Sequence, residues 1–197
     1  MLLARIPPTR SRATPSRSRG GFTLLEVMFA SAVLAIAISG AAGAMLSATQ
    51  LDRVNRERAL ALQSARRMVE RSQDVEFEDL FAAYNSVAND DPPDLVAAGT
   101  VPGASFACEG LTAQSADPDG VTGQVFFPTV MNGGVEELRE DVVDPQLGMP
   151  MDLNMDGVID GLNHAGDYRL LPVRVRLSWR GVSGDRSADL VTIISRR

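Results

Sequence analysis

Lysine is absent from the 197 residues, and cysteine, histidine and tryptophan occur once each. A single Cys108 rules out an intramolecular disulfide and a cysteine-based metal cluster, and it reads as a small buried hydrophobe. A single His164 cannot form a histidine cluster and is expected on the surface or in a loop. Serine, histidine and acids are present, but no motif groups them into a hydrolase site, so the chain is not expected to be an enzyme. All nineteen basic residues are arginine, and five of them (Arg5, Arg10, Arg12, Arg17, Arg19) fall in the first nineteen positions with no acid among them. From Phe22 onward 14 arginines face 25 acidic residues, which leaves no basic field to release counterions from phosphates and excludes nucleic acid as a partner. The acidic pairs Asp90 with Asp91, Glu136 with Glu137 and Glu140 with Asp141 are expected to be solvated.

One long stretch lacks charge altogether. Residues 27–49 contain none over 23 positions. As a helix they cover about 34 Å, enough to cross a hydrocarbon core of ~30 Å. Much of the stretch is alanine, glycine and serine, which permits close helix–helix approach where water supplies no drive. The preceding arginines favour a cytoplasmic basic end, with residues 52–197 on the far side of the membrane. An ordinary secretory signal has the same polarity, and Ala42-Gly43-Ala44 offers a cleavage pattern that leaves Met45 first. Neither an ordinary signal nor a plain anchor explains Glu26 at the start of the apolar run, where an isolated carboxylate is costly. Cleavage after Gly21 does explain it. Phe22 then carries a new α-amine four residues from Glu26, and the two charges can pair along one helix or between neighbours. Gly20-Gly21 gives a protease an unencumbered approach, and Thr23 can cap the new helix end.

Two glycines followed by FTLLEVMFASAVLAIA resemble the prepilin amino-terminal cleavage and methylation motif of type IV pilins and type II secretion pseudopilins. The resemblance covers about residues 20–50. It implies a prepilin peptidase/N-methyltransferase that cuts after Gly21 and methylates Phe22, and an assembly role for Glu26. It further implies other pilin or pseudopilin subunits and a membrane assembly platform as partners, with the chain single-pass in the cytoplasmic membrane and its head on the extracytoplasmic side. The missing cysteine pair departs from the disulfide-bounded loop of many major pilins and points toward a minor pilin or I-type pseudopilin-like member.

Beyond the anchor, Leu51, Val54, Ala61, Ala65, Met68 and Val75 recur at three- and four-residue steps, so residues 51–74 are expected to continue as an amphipathic helix. Asp74 is a candidate cap for a short helix in VEFEDLFAAYN, residues 85–103 read as a loop, and Val125-Phe126-Phe127 as a strand. Residues 135–143 fit a strand or a short helix. Val173, Val175, Leu177 and Trp179 alternate with Arg174, Arg176, Ser178 and Arg180, and a GVSGD turn leads into a second strand. The arginine row is a candidate surface for an acidic neighbouring head. The expected fold is α+β: a leader at 1–21, a membrane-spanning and filament-core helix at 22–50, the amphipathic helix at 51–74, and an antiparallel head at 75–197.

DLNMDGVIDGLN, residues 152–163, spaces oxygen donors as an EF-hand or dockerin-type loop does. Asp152, Asn154, Asp156, the Val158 carbonyl, Asp160 and Asn163 are the candidate ligands, with Gly157 at the sharp turn. Asn163 at the twelfth position replaces the usual acid. No cofactor is required for the expected function; a structural Ca²⁺ ordering this loop is the candidate, and an Asx-rich turn is the simpler reading. A membrane-tethered or secreted calcium-dependent binding module is the alternative function.

Overall fold

A helix, α1, runs over Leu24–Ser72. The computed structural model describes residues 21–117, 120–182 and 184–196, and the chain divides into two units, Met1–Ser47 and Ala48–Arg197. The expected leader lies outside the described residues apart from Gly21.

In the first unit every described residue is exposed. Thr23 Oγ1 accepts a hydrogen bond from the Glu26 N–H at 3.3 Å, the expected cap. The Ser31, Ser39 and Ser47 hydroxyls donate back to the Met28, Ala35 and Gly43 carbonyls. No serine hydroxyl of this apolar stretch is therefore left to hydrocarbon unbonded.

In the second unit α1 buries Ala61, Ala65, Met68 and Ser72, a four-three-four spacing that defines one face. Leu51 at the start of the expected stripe stays 61% exposed, so only the later turns are covered. A 3-10 turn, Phe77–Asp79, leads into α2, Leu80–Tyr84, and a third helix, α3, occupies Pro93–Ala98. The expected loop at 85–103 is thus partly helical: Pro93 opens α3 and Gly99, at φ 66°, closes it. Asp74 caps nothing here; the cap positions are Glu76 and Asp79, neither with a side-chain cap bond.

Four strands form an antiparallel sheet: β1 (Ser105–Phe106), β2 (Gly123–Phe126), β5 (Leu170–Gly181) and β6 (Gly184–Ser195), in the order β1-β2-β5-β6. The expected hairpin is β5–β6, paired from Leu170↔Ser195 to Gly181↔Gly184. Gly184 adopts φ 114°, accessible mainly to glycine. A small second hairpin pairs β3 (Thr129–Asn132) with β4 (Val135–Leu138) across Gly133 and Gly134, both at positive φ. The ambiguous 135–143 segment is a strand only over its first half.

The core sits between the buried face of α1 and one face of the sheet, where Val173, Val175, Leu177 and Trp179 join Leu80, Phe81, Tyr84 and Val125. Phe81 and Phe127 meet edge to face at 5.3 Å. Trp179 is buried as expected and donates its indole N–H to Glu57 on α1 at 3.2 Å. Cys108 is buried too. On the other face of the sheet, Arg174 pairs with Asp144 at 3.1 Å and lies over the Phe126 ring, while Arg176 pairs with Asp189 at 2.8 Å. Arg180 donates to the Ser115 hydroxyl at 2.8 Å, so all three arginines of the row are engaged within their own chain.

Candidate functional site

The amino-terminal site is built from very few parts. Gly21 and Phe22 precede α1 outside any regular element and are exposed, Phe22 to 82%. Glu26 lies in the first turn of α1, where a carboxylate complements the partial positive charge of the helix end. Leu24, Leu25, Val27, Met28 and Phe29 surround it with exposed apolar surface. A lone carboxylate is thus displayed on an apolar helix that no part of its own unit covers, with the helix terminus close by.

The second candidate lies in the head. Asp152 Oδ1 accepts from the Met155 and Asp156 N–H groups and Oδ2 from Gly157, at 2.6, 3.2 and 2.7 Å. Asn154 Oδ1 accepts from Asp156, and Asp156 Oδ1 from Val158. Gly157 takes φ 93° at the sharp turn. The first three candidate ligands therefore share one tight turn.

Asp160 and Asn163 face elsewhere. Asn163 Oδ1 accepts from Leu138 at 3.1 Å and Ala165 at 3.0 Å, stitching the loop to the end of β4. Asp160 Oδ1 accepts from the Leu162 N–H and lies 3.1 Å from His164 Nε2. His164 Nδ1 is 3.1 Å from Asp167 Oδ1, so both ring nitrogens meet a carboxylate.

Beneath this loop lies Glu140, expected at the surface with Asp141 but 0% exposed. Three backbone N–H groups converge on its carboxylate: Leu153 at 2.6 Å and Asn154 at 3.2 Å on Oε1, and Asp160 at 3.2 Å on Oε2. Its Oε2 is 3.8 Å from His164 Nε2. His164, expected to be a surface or loop residue, is in a loop but only 4% exposed. Ligand atoms of Glu140, Asp160 and His164 lie within 4.8 Å of one another, so this buried cluster can coordinate a metal ion. Asp160 is the only member that the loop motif singled out. Glu140 carried no local signal, because it joins the cluster through a contact twenty residues along the chain.

Burial of the His164 ring works against its charge, but the bonds to Asp160 and Asp167 and the field of Glu140 outweigh it and raise its pKa. The Leu162 N–H, followed by His164, lowers that of Asp160. Next to the cluster, burial pushes the Tyr168 hydroxyl up to about 12; it donates to the Phe77 carbonyl and accepts from the Phe81 N–H at 3.3 Å.

No curated protein and no solved structure matches the chain. The family model described as the prokaryotic N-terminal methylation motif matches residues 16–42, the stretch that contains Gly21, Phe22 and Glu26. Proteins with this motif are structural subunits without catalysis of their own, and an apolar helix near the amino end suits membrane anchoring. The chain thus carries the amino-terminal methylation motif typical of type IV pilin and pseudopilin proteins, on an exposed apolar helix that continues into an α+β head, and its role is that of a pilin- or pseudopilin-like structural subunit.

Proposed function

We propose that this chain is a subunit of a type IV pilus or a type II secretion pseudopilus, matured by prepilin peptidase cleavage between Gly21 and Phe22 and methylation of the Phe22 amine. The observation that carries this reading is the single carboxylate of Glu26 in the first turn of an exposed apolar helix, inside the matched motif. The helix anchors the subunit in the cytoplasmic membrane with the head on the extracytoplasmic side. On the assembly platform, Glu26 of one subunit neutralises the terminal amine of a neighbour, and an unmatched carboxylate penalises wrong register. Mass spectrometry of the mature protein tests the cut: N-methyl-Phe22 is expected, and a chain beginning at Met1 or at Met45 overturns it. Glu26→Ala is expected to keep membrane insertion and lower recovery in sheared filaments by tenfold or more; undiminished recovery removes the assembly role.

Asp152, Asn154, Asp156 and the Val158 carbonyl suit a structural Ca²⁺ that orders the loop before β5. With Asn163 committed to backbone N–H groups and Asp160 to His164, the hard-oxygen set is short, and affinity belongs in the millimolar class of extracellular modules. Titration of the full chain in detergent with millimolar CaCl₂ is expected to raise the melting temperature of the head. An unchanged melt removes the metal, and with it the alternative reading as a membrane-tethered calcium-dependent binding module.

A further inference from the structure

The exit of β4 and the loop before β5 meet around one imidazole. Two backbone bonds hold them together, from the His164 N–H to the Leu138 carbonyl at 2.8 Å and from the Met151 N–H to the Glu140 carbonyl at 3.3 Å. That contact sets the buried Glu140 carboxylate beside the buried His164 ring, with Asp160 and Asp167 on the ring's two nitrogens. Three carboxylates thus surround a single imidazole. Among the described residues the arginines in ion pairs, Arg139, Arg174, Arg176 and Arg196, go to other acids. Arg139, whose field reaches Asp160, is bound to Asp141. Glu140 is the deepest of the three acids, and a carboxylate out of water is costly without a counter-charge.

Both ring nitrogens face acceptors: Nδ1 lies 3.1 Å from Asp167 Oδ1, and Nε2 lies 3.1 Å from Asp160 Oδ1 and 3.8 Å from Glu140 Oε2. A neutral imidazole has one N–H to give. Donated to Asp167, it leaves the Nε2 lone pair aimed at two carboxylate oxygens, and only a cation between them relieves that arrangement. Glu140 Oε2 accepts from the Asp160 N–H at 3.2 Å and keeps a second lone pair for the same cation. A proton on Nε2 fills the place in the metal-free head. We propose that a divalent ion of the zinc class takes it, bound by Glu140 Oε2, Asp160 Oδ1 and His164 Nε2, with Asp167 as the positioning residue that holds the ring.

Zinc holds nitrogen and oxygen ligands at about 2.0–2.2 Å in a tetrahedron, which sets neighbouring ligand atoms about 3.3–3.6 Å apart. The separations of 3.1 and 3.8 Å around Nε2 bracket that range, and all three ligand atoms lie within 4.8 Å of one another. Calcium fits poorly, because it takes six to eight oxygens at longer range, whereas imidazole with carboxylates suits zinc and its transition-series neighbours. Asp167 on the far nitrogen gives the carboxylate–histidine–metal arrangement that orients a ligating ring. Asp160, whose side chain is 35% exposed, opens the site to water, which completes the coordination. The ion's work is structural: it ties the exit of β4 to the loop before β5. Its ligands are not those of the Asp152–Asn154–Asp156 turn, so the inference rests on neither the calcium nor the filament reading.

The test is titration with ZnCl₂ of the full chain in detergent, stripped of metal by a chelator and made without a histidine tag, so that His164 is the only imidazole present. The expected result is one Zn²⁺ per chain by calorimetry and a raised melting temperature, both persisting in millimolar CaCl₂ and in Cys108→Ala. Co²⁺ in place of zinc should give the intense visible bands of a four-coordinate ion. Asp160→Ala removes a partly exposed ligand and should abolish those bands while the metal-free melting temperature stays near the parent's. Should that variant melt lower without metal, Asp160→Asn, which keeps the acceptor for the Leu162 N–H, takes its place in the comparison. Asp167→Ala should keep the bands and weaken binding roughly 10–100-fold, the effect of freeing a ligating ring. Absence of saturable zinc binding in the micromolar range overturns the proposal. So do cobalt bands that survive Asp160→Ala, parental zinc affinity in Asp160→Asn, and zinc binding that calcium or Cys108→Ala removes.

Discussion

Glu140 keeps its carboxylate away from water because the backbone solvates it: three N–H groups of the 153–160 segment point at its two oxygens, and His164 stands 3.8 Å away. Glu140→Gln replaces one acceptor oxygen by an amide that donates, leaving at least one buried backbone N–H opposed by a donor. The expected loss is roughly 1–3 kcal/mol in urea unfolding of the full chain in detergent. Glu140→Leu, which abandons all three N–H groups, should cost more than Glu140→Gln, and equal stability of the two would show that the N–H bonds contribute nothing. His164 adds a pH dependence with a definite sign. Its folded pKa lies above the ordinary 6.5, so its contribution to stability is complete below 6.5 and is lost as pH rises through the folded value. Urea midpoints should therefore fall as pH rises from about 6.5, the unfolded value, and His164→Gln should flatten that dependence. An unchanged slope would mean that the ring is neutral in the folded head.

At the scale of elements, the two ends of the chain follow their periodicities with little interference. The 3.6-residue period put Ala61, Ala65 and Met68 on one face of α1, and the twofold alternation of β5 put Val173, Val175, Leu177 and Trp179 on the sheet face toward it. Small residues on α1 let the helix lie close to large ones on the sheet. The middle of the chain was less legible. Asn85 to Gly103 shows prolines, glycines and aspartates, which signal a loop, but a proline at the first helical position and a glycine past the last also bracket α3. Gly123 shows another contact hidden from sequence. A Cβ there would lie 2.5 Å from the Phe106 ring, so the bare backbone of β2 is what lets the aromatic side chain of β1 lie across it. Gly123→Ala should cost roughly 1–3 kcal/mol by overpacking, seen as a lower melting temperature of the head. Gly123→Ala combined with Phe106→Leu should recover part of the loss, and no recovery would place the strain elsewhere.

For the whole molecule, the distribution of charge sets what kind of association each surface supports. Pairing at Glu26, formed inside apolar surroundings, should resist a rise in salt from about 0.1 M to about 1 M, which shortens the Debye length from ~10 to ~3 Å. Loss of the subunit from sheared filaments over that range would place the pair in water. Sequence alone determined the membrane-suited helix, the processing motif, the α+β order and the final hairpin, because each depends on residues close together in the chain and on a repeating period. The burial of Glu140 and His164, the turning of Asp160 and Asn163 away from the first three ligands of their loop, and the internal pairing of Arg174 and Arg176 were decided only by tertiary structure. A charged side chain is written the same way whether water or distant backbone N–H groups surround it, and which of them does so is settled when segments far apart in the chain pack together.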